Sequence, residues 1–371
     1  MFASNNVFSY FSTVLRLLSF SKVPADLVYF VTSDCNCNCK NCLFQESLNK
    51  TDRRSLQLSL EEVDKIAKRY GKNLVKLSLS GGEPFLRSDI LEILGSFVTH
   101  TNVKIIDIPT NGSRPNVIAD KVKCFVTTYQ NVILEIQLSV DGTREIHEKI
   151  RGFPGLFELT LQTYQELDAV RKDHRNLKIK MNTLYQPDNI ENIRELYELM
   201  LKNNCIFDRM QIVFPHGAHI QEETLDILNY DKFYELSQSI LKSYPIYNKK
   251  DFHSLLFRAI KIERDNVLKK TIKNKNMGKI CKAGKRNMVL DDIGTVYPCE
   301  PIWEPIGNIR DYGYSMEKIC NSEAFKKFKQ SKWGNQKCNC TWGNIALDEV
   351  VHNPKYYPKI LFNLIKLLVN K

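Results

Sequence analysis

The run Leu27-Val28-Tyr29-Phe30-Val31, followed three residues later by Cys35-Asn36-Cys37-Asn38-Cys39-Lys40-Asn41-Cys42, decides how the rest of the chain is read. Five consecutive apolar residues with polar neighbours fit a short buried strand. The cysteines fall on the loop that leaves it, and positions 35, 39 and 42 form a Cys-x3-Cys-x2-Cys pattern. Three thiolates on one loop can hold three irons of a four-iron cluster and leave the fourth iron open to a small molecule. A closed zinc site is the alternative; it needs four ligands, and Cys37 could supply the last.

Outward from this loop, strand-like runs recur near 74–80, 103–108, 132–140, 177–184 and 209–214. Helix-like segments fall near 60–70, 88–99, 116–124, 156–172 and 189–203. Ser59-Leu60-Glu61-Glu62 is a capping-box signature for the first of these helices. Six strands alternating with helices point to parallel βα units, in an open doubly wound sheet or part of a βα barrel. After Pro215 the alternation stops. Helical stretches near 230–243 and 252–271 lead to short strand signals at 287–290 and 295–298. Val7, Phe8, Phe11, Val14, Leu15 and Leu18 give residues 7–20 helical spacing, and Tyr356 to Lys371 reads as an apolar helix carrying Lys359, Lys366 and Lys371. The expected organisation is an amphipathic N-terminal helix (1–26), a core (27–215), a helical linker (216–275), a small cysteine-bearing domain (276–345) and a C-terminal helix (346–371).

The chain has 371 residues, 43% of them hydrophobic, which suits a globular protein with a sizeable core. No stretch reaches the roughly 18 to 20 apolar residues of a membrane span, so an integral membrane protein is not expected. The first basic residue, Arg16, lies inside the apolar stretch, so neither is a cleavable signal peptide. Lys plus Arg number 53 against 42 Asp plus Glu, a net charge of +11. That charge would attract nucleic acid, anionic lipid or an acidic protein and does not choose among them. Of 11 cysteines, four lie between 35 and 42 and five between 281 and 340. Such clustering in a chain of this size points to metal or iron–sulfur binding inside the cell. Cys124 and Cys205 are expected to be buried thiols.

The second strand ends in Ser80-Gly81-Gly82-Glu83-Pro84, where two glycines let a ligand approach the backbone and Glu83 can accept from an ammonium group. Thr110-Asn111-Gly112, Ser139-Val140-Asp141-Gly142, His147 and Arg151-Gly152 follow in order. Together with the cysteine loop, these motifs resemble the radical S-adenosylmethionine superfamily, over residues 27 to 214. The resemblance implies a partial (β/α)6 TIM-type barrel. It implies that Cys35, Cys39 and Cys42 ligate a [4Fe–4S] cluster whose open iron binds S-adenosylmethionine. Gly81, Gly82, Glu83 and Pro84 would then form the loop at the methionine amino group, and Ser139 and Arg151 would hold the carboxylate, with Asn111 in a supporting turn. His147 reads as a satisfied helix residue and Asp141 as the shaper of an Asp-Gly turn. Asn41 departs from the pattern, since an aromatic residue often precedes the last cysteine. Cys37 is extra and is read as a non-ligand.

Cys281, twelve residues, Gly294, four residues and Cys299 open the second cluster, and Cys338-Asn339-Cys340 closes it. Four thiolates suffice for one closed iron–sulfur cluster or one zinc ion. The segment resembles the C-terminal extension of SPASM and twitch radical enzymes, the single-cluster form fitting its five cysteines better. Cys320 is a substitute for Cys338 or Cys340, although its helix-like run (317–329) suits a buried thiol. The resemblance implies a second [4Fe–4S] cluster in electron transfer and a net oxidation, with a small-molecule, sugar or lipid-linked substrate. An acidic ferredoxin or flavodoxin would be the electron donor. The protein would be cytoplasmic, with peripheral membrane association through the terminal helices as the sharper reading of its apolar ends. Only 26 residues precede the first strand, too few for a leader-peptide wing. One rival is a ribosomal peptide maturase forming thioether or carbon–carbon crosslinks. The other is a non-catalytic metal protein that binds nucleic acid, a partner not otherwise expected.

Overall fold

The computed structural model describes residues 23–40, 42, 44–215, 229–243, 252–274, 283–330 and 340–369. The helix expected at 7–20, Cys281 and Cys338 lie outside them. The chain divides into two compact units: 1–139 with 151–179 and 283–327, and 140–150 with 180–282 and 328–371.

In the first unit β1 (Asp26–Phe30), β2 (Lys76–Ser80), β3 (Ile105–Thr110) and β4 (Ile133–Ser139) pair side by side in parallel. The intervening helices are α1 (Thr51–Ser55), α2 (Leu60–Tyr70), α3 (Ile90–His100) and α4 (Pro115–Thr128). α5 (Arg144–Arg151) contributes its last residue here, and α6 (Leu156–Asp173) follows. α2 starts as its sequence dictates: Ser59 Oγ accepts from Glu62 N, and Glu62 Oε2 accepts from Ser59 N. β4 alternates, with Leu134, Ile136 and Leu138 buried on one face and Glu135, Gln137 and Ser139 on the other.

The C-terminal segment of this unit continues the same sheet. β7 (Asn287–Leu290) runs parallel to β1 on the side away from β2, with Val28 opposite Val289. β8 (Thr295–Tyr297) and β9 (Gly307–Asn308) extend it antiparallel. The β7–β8 turn closes at Gly294, whose φ of +90° is a conformation that favours glycine. The expected helix at 317–329 forms as two, α10 (Met316–Cys320) and α11 (Glu323–Gln330).

The second unit holds the parallel pair β5 (Leu177–Leu184, from residue 180 onward) and β6 (Arg209–Val213), in register Lys180 to Arg209 and Asn182 to Gln211. Its helices are most of α5, then α7 (Ile193–Lys202), α8 (Tyr230–Ser243), α9 (Phe252–Asn274), α12 (Gly343–His352) and α13 (Tyr357–Val369). Tyr185, Phe214, Tyr230 and Phe233 stack into an aromatic core, with Tyr185 to Phe233 at 5.2 Å and Phe214 to Tyr230 at 5.1 Å. α9 packs on α12 and α13. α13 buries Ile360 and Leu364 and exposes Leu361, Phe362, Ile365 and Val369. Among the described residues no helix is long and apolar enough to cross a membrane.

Candidate functional site

Three loops at the carboxyl ends of β1, β2 and β3 interlock. The backbone after β2 continues the ladder against the cysteine loop: Gly82 N donates to Thr32 O and Glu83 N to Asp34 O, each at 2.8 Å. A side chain cannot enter this contact. A Cβ on Gly81 would lie 2.4 Å from Thr32 O, and one on Gly82 would lie 2.1 Å from Asp34 O. Glu83 is buried, and its Oε1 accepts from Phe85 N at 3.1 Å and Thr110 Oγ1 at 2.8 Å. Its Oε2 accepts from Asn111 N at 2.7 Å. Burial raises the Glu83 carboxyl to about 6 against these hydrogen bonds. Pro84 opens a single 3-10 turn after it.

The loop after β3 reaches back to the cysteines. Asn111 Nδ2 donates to Asn36 Oδ1 at 2.9 Å and to Cys37 Sγ at 3.2 Å, while Asn36 Nδ2 donates to Ser113 Oγ at 2.8 Å. Cys35, Cys39 and Cys42 are half-buried on this loop and Cys37 is buried. Hydrogen bonds to the Cys35 and Cys39 sulfurs hold the Cys37 thiol protonated, and the same contact pulls Cys35 down. Burial pushes Cys42 up to about 11, with Cys39 and Cys35 adding to the rise. Three thiols crowded in this way resist ionising together, a cost that iron bound to the thiolates removes. Among the described residues no three Cys, His, Asp or Glu side chains converge as a single metal ion requires. A four-iron cluster takes one thiolate per iron and needs no such convergence. Three half-buried thiols on one loop, Cys35, Cys39 and Cys42, are a donor set that fits such a cluster.

Arg151 adds a positive charge here: its Nη1 faces Cys39 Sγ at 3.8 Å, and its carbonyl accepts from Asn38 N at 2.9 Å. Ser139 ends β4, half-buried. In the second unit His147 is fully buried and its Nδ1 accepts from Asp141 N at 3.1 Å. Asp141 Oδ1 accepts from Leu184 N at 2.9 Å, which ties the turn to the end of β5.

An apolar wall backs the cysteine loop. Val28, Phe30, Phe44 and Val289 are buried together, with Cys42, Tyr297 and Trp303 against them. Phe30 lies 5.1 Å from Phe44 and 5.2 Å from Trp303, and Tyr297 lies 4.8 Å from Trp303. Trp303 comes from the segment after Cys299 in the same unit. Nothing in the local sequence around Phe44 or Trp303 marks this role. Cys299 and Cys340, in the first and second units respectively, are both buried. Cys320 packs its sulfur 3.9 Å from Met288 Sδ. Cys205 is buried as expected, but Cys124 is exposed: Val122, Phe125 and Val126 take the buried face of α4 and leave residue 124 on the other.

Comparison with known proteins agrees with this geometry. The family model of the radical SAM superfamily matches residues 29–200, and that of the SPASM iron–sulfur cluster-binding domain matches residues 281–341. The chain is 24% identical over 333 residues to the AdoMet-dependent heme synthase of Methanosarcina barkeri, covering 87% of this chain and 89% of that protein. It is 26% identical over 340 residues to the cysteine-type anaerobic sulfatase-maturating enzyme of Clostridium novyi, covering 85% and 84%. The solved structure described as "Native anSMEcpe with bound AdoMet" superposes with a TM-score of 0.55 at 17% identity, covering 94% of this chain and 99% of that one. That likeness shows the fold class, an α/β partial (β/α)6 barrel followed by a C-terminal region with antiparallel strands.

Proposed function

The chain belongs to the radical S-adenosylmethionine superfamily and carries a SPASM-type iron–sulfur domain, and from that premise we propose that it oxidises a small-molecule, sugar or lipid-linked substrate. Its cofactors are S-adenosylmethionine, the [4Fe–4S] cluster that binds it, and auxiliary iron–sulfur in the SPASM-type domain. The observation that carries the reading is the interlock of the cysteine, Gly-Gly-Glu-Pro and Thr-Asn-Gly loops. When bound, the cofactors supply an electron that splits the sulfonium, a 5′-deoxyadenosyl radical that takes a hydrogen atom from substrate, and an acceptor for the substrate's electron.

The residues of this chain hold and shield that chemistry. Cys35, Cys39 and Cys42 would hold three irons, and Cys281, Cys299, Cys338 and Cys340 the auxiliary cluster. Arg151 and Ser139 would take the carboxylate of S-adenosylmethionine and orient it. Gly81 and Gly82 let this loop close against the cysteine loop, and Glu83, braced by three hydrogen bonds, would accept from the amino group of S-adenosylmethionine. Phe30, Phe44 and Trp303 exclude water from one side of the cysteine loop.

The small-molecule reading is supported by the heme synthases of M. barkeri and Oleidesulfovibrio alaskensis, which align with 87% and 86% of this chain. The sulfatase-maturating relative favours a second reading, a protein or peptide substrate. The test uses reconstituted enzyme, S-adenosylmethionine and a strong reductant with extracts of fully deuterated cells, split into small-molecule and peptide fractions. Deuterium in 5′-deoxyadenosine from the small-molecule fraction is the expected result. Deuterium from the peptide fraction alone would give the second reading, and absence of any deoxyadenosine would remove both.

A further inference from the structure

α13 is apolar on two sides, and only one of them is covered. Ile360 and Leu364 are buried, and the helix packs on α9. Tyr357, Leu361, Phe362, Ile365, Leu368 and Val369 are exposed, Phe362 at 66% and Val369 at 73%. At 3.6 residues per turn these six fall within an arc of about 140°, and Lys366 and Lys359 come next along it. Leu256 and Ile260 of α9 and Val351 of α12 meet Tyr357 and Leu361 in an apolar trough beside the arc. A continuous apolar patch of this kind on a surface helix marks an interaction face. Its charge has one sign. From Asn353 to Lys371 the sequence has four lysines and no Asp or Glu. Lys366 is exposed, and Lys359, although paired with Glu263 at 3.4 Å, has a side chain that remains 65% exposed.

We propose that α13 lays this exposed face on an anionic lipid surface, with its apolar side chains at the headgroup boundary and Lys359 and Lys366 among the headgroups. Apolar area leaving water and attraction of lysines to anionic lipid both favour that placement. The long lysine stems let the ammonium groups reach outward from the edge of the apolar arc. Anionic headgroups answer the lysines; a second copy of the helix, which carries no acid, does not. Among the described residues no helix can cross a membrane, so the contact is peripheral. The proposal goes beyond the radical chemistry and does not rest on it.

The test floats anaerobically reconstituted full-length protein with vesicles of phosphatidylcholine containing about one-third phosphatidylglycerol, and with vesicles of phosphatidylcholine alone. Wild type should bind the anionic vesicles more tightly, and raising salt from about 0.05 M to about 0.5 M should weaken that binding. Lys366→Gln should weaken it about fivefold. Phe362→Ser and Ile365→Ser should each weaken it about tenfold or more. All three positions are exposed, so each variant should melt with wild type, and a melt on the same preparation checks this. Leu56, 55% exposed in the first unit against 56% for Leu361, is the matched control: Leu56→Ser should bind as wild type does. No binding to anionic vesicles, equal binding to both vesicle types, or undiminished binding in Phe362→Ser and Ile365→Ser would overturn the proposal. Sedimentation velocity without vesicles covers the other occupant. A dimer that Phe362→Ser dissociates, with no vesicle binding, would assign the face to a second copy of the chain instead.

Discussion

Arg310 reaches Glu62 with Nε to Oε1 at 2.6 Å and Nη2 to Oε2 at 3.0 Å, and Tyr314 Oη adds a bond at 3.2 Å. The Arg310 hydrogen bonds lead in holding the Glu62 carboxyl down to about 2. A folded value below the unfolded one means stability that is fully present above about 4.5 and lost as pH falls toward 2. Thermal melts from pH 6 to pH 2 should therefore show wild type above Glu62→Gln at the high end and the two converging at the low end. A Gln variant that melts in parallel with wild type throughout would refute this. Arg53 makes a harder demand. It bridges Asp291 at 2.9 Å and Asp292 at 2.6 Å, both carboxylates fully buried, and lies over the Phe44 ring at 5.1 Å. Arg53→Met leaves two buried charges without their cation, and should cost about 3–5 kcal/mol in urea unfolding. Arg53→Lys should restore only part of that, since its ammonium keeps the charge but lacks the planar fork by which Nε and Nη2 meet Asp292 and Asp291. The sequence shows Glu62 as a capping-box residue and shows nothing of Arg310 or Asp292. Local spacing carries the first fact; contacts between residues more than 200 positions apart carry the second.

At the scale of elements, the six βα strands were legible because each buries one face or both, and that leaves a periodic or continuous apolar run. α5 was legible only as the helical setting of His147 and not in its extent: its sequence Arg-Glu-Ile-His-Glu-Lys-Ile-Arg buries only His147 and Ile150, too few for a helical stripe to stand out. The strand at 287–290 was visible, but its parallel pairing with β1 was not, because nothing within four residues encodes a partner. That pairing brings Trp303 to Phe44 and fixes the back of the cysteine loop. Phe44, 5% exposed, should cost about 3–5 kcal/mol when truncated to Ala, and the variant should lose iron to a chelator faster than wild type. Unchanged iron loss would mean the aromatic wall does not restrain Cys42. Gly82→Ala tests the opposite side of the loop. Its new methyl would meet Asp34 O at 2.1 Å, a backbone atom that cannot swing aside, so the loops must part. Reconstituted protein should then hold about four fewer irons while keeping the auxiliary complement. Full iron in that variant would show that the Gly82–Asp34 contact does not position the ligands.

For the whole molecule, the fates of the cysteines set the metal content. Of the 11, four have other roles or surroundings. The Cys37 thiol bonds to its neighbours' sulfurs, Cys124 is exposed, Cys205 is buried, and Cys320 packs on Met288. The other seven are the proposed ligands: Cys35, Cys39 and Cys42 for the cluster that binds S-adenosylmethionine, and Cys281, Cys299, Cys338 and Cys340 for the auxiliary one. Three thiolates leave an iron open and four close a cluster, so the two sets differ in kind as well as place. Reconstituted wild type should carry about eight irons, and the triple variant of Cys35, Cys39 and Cys42 to Ala about four. That variant should make no deoxyadenosine, because the remaining cluster has no open iron for S-adenosylmethionine. Cys124→Ala, Cys205→Ala and Cys320→Ala should each keep the full complement. A fall to about four irons in Cys320→Ala alone would instead make that residue a ligand in place of Cys338 or Cys340. Its contact with Met288 would then have to break when iron binds, and the auxiliary site would draw on α10 as well as the β7–β8 hairpin. Iron counting with the deoxyadenosine assay thus separates a ligand from a packed thiol, which the spacing of the cysteines alone does not.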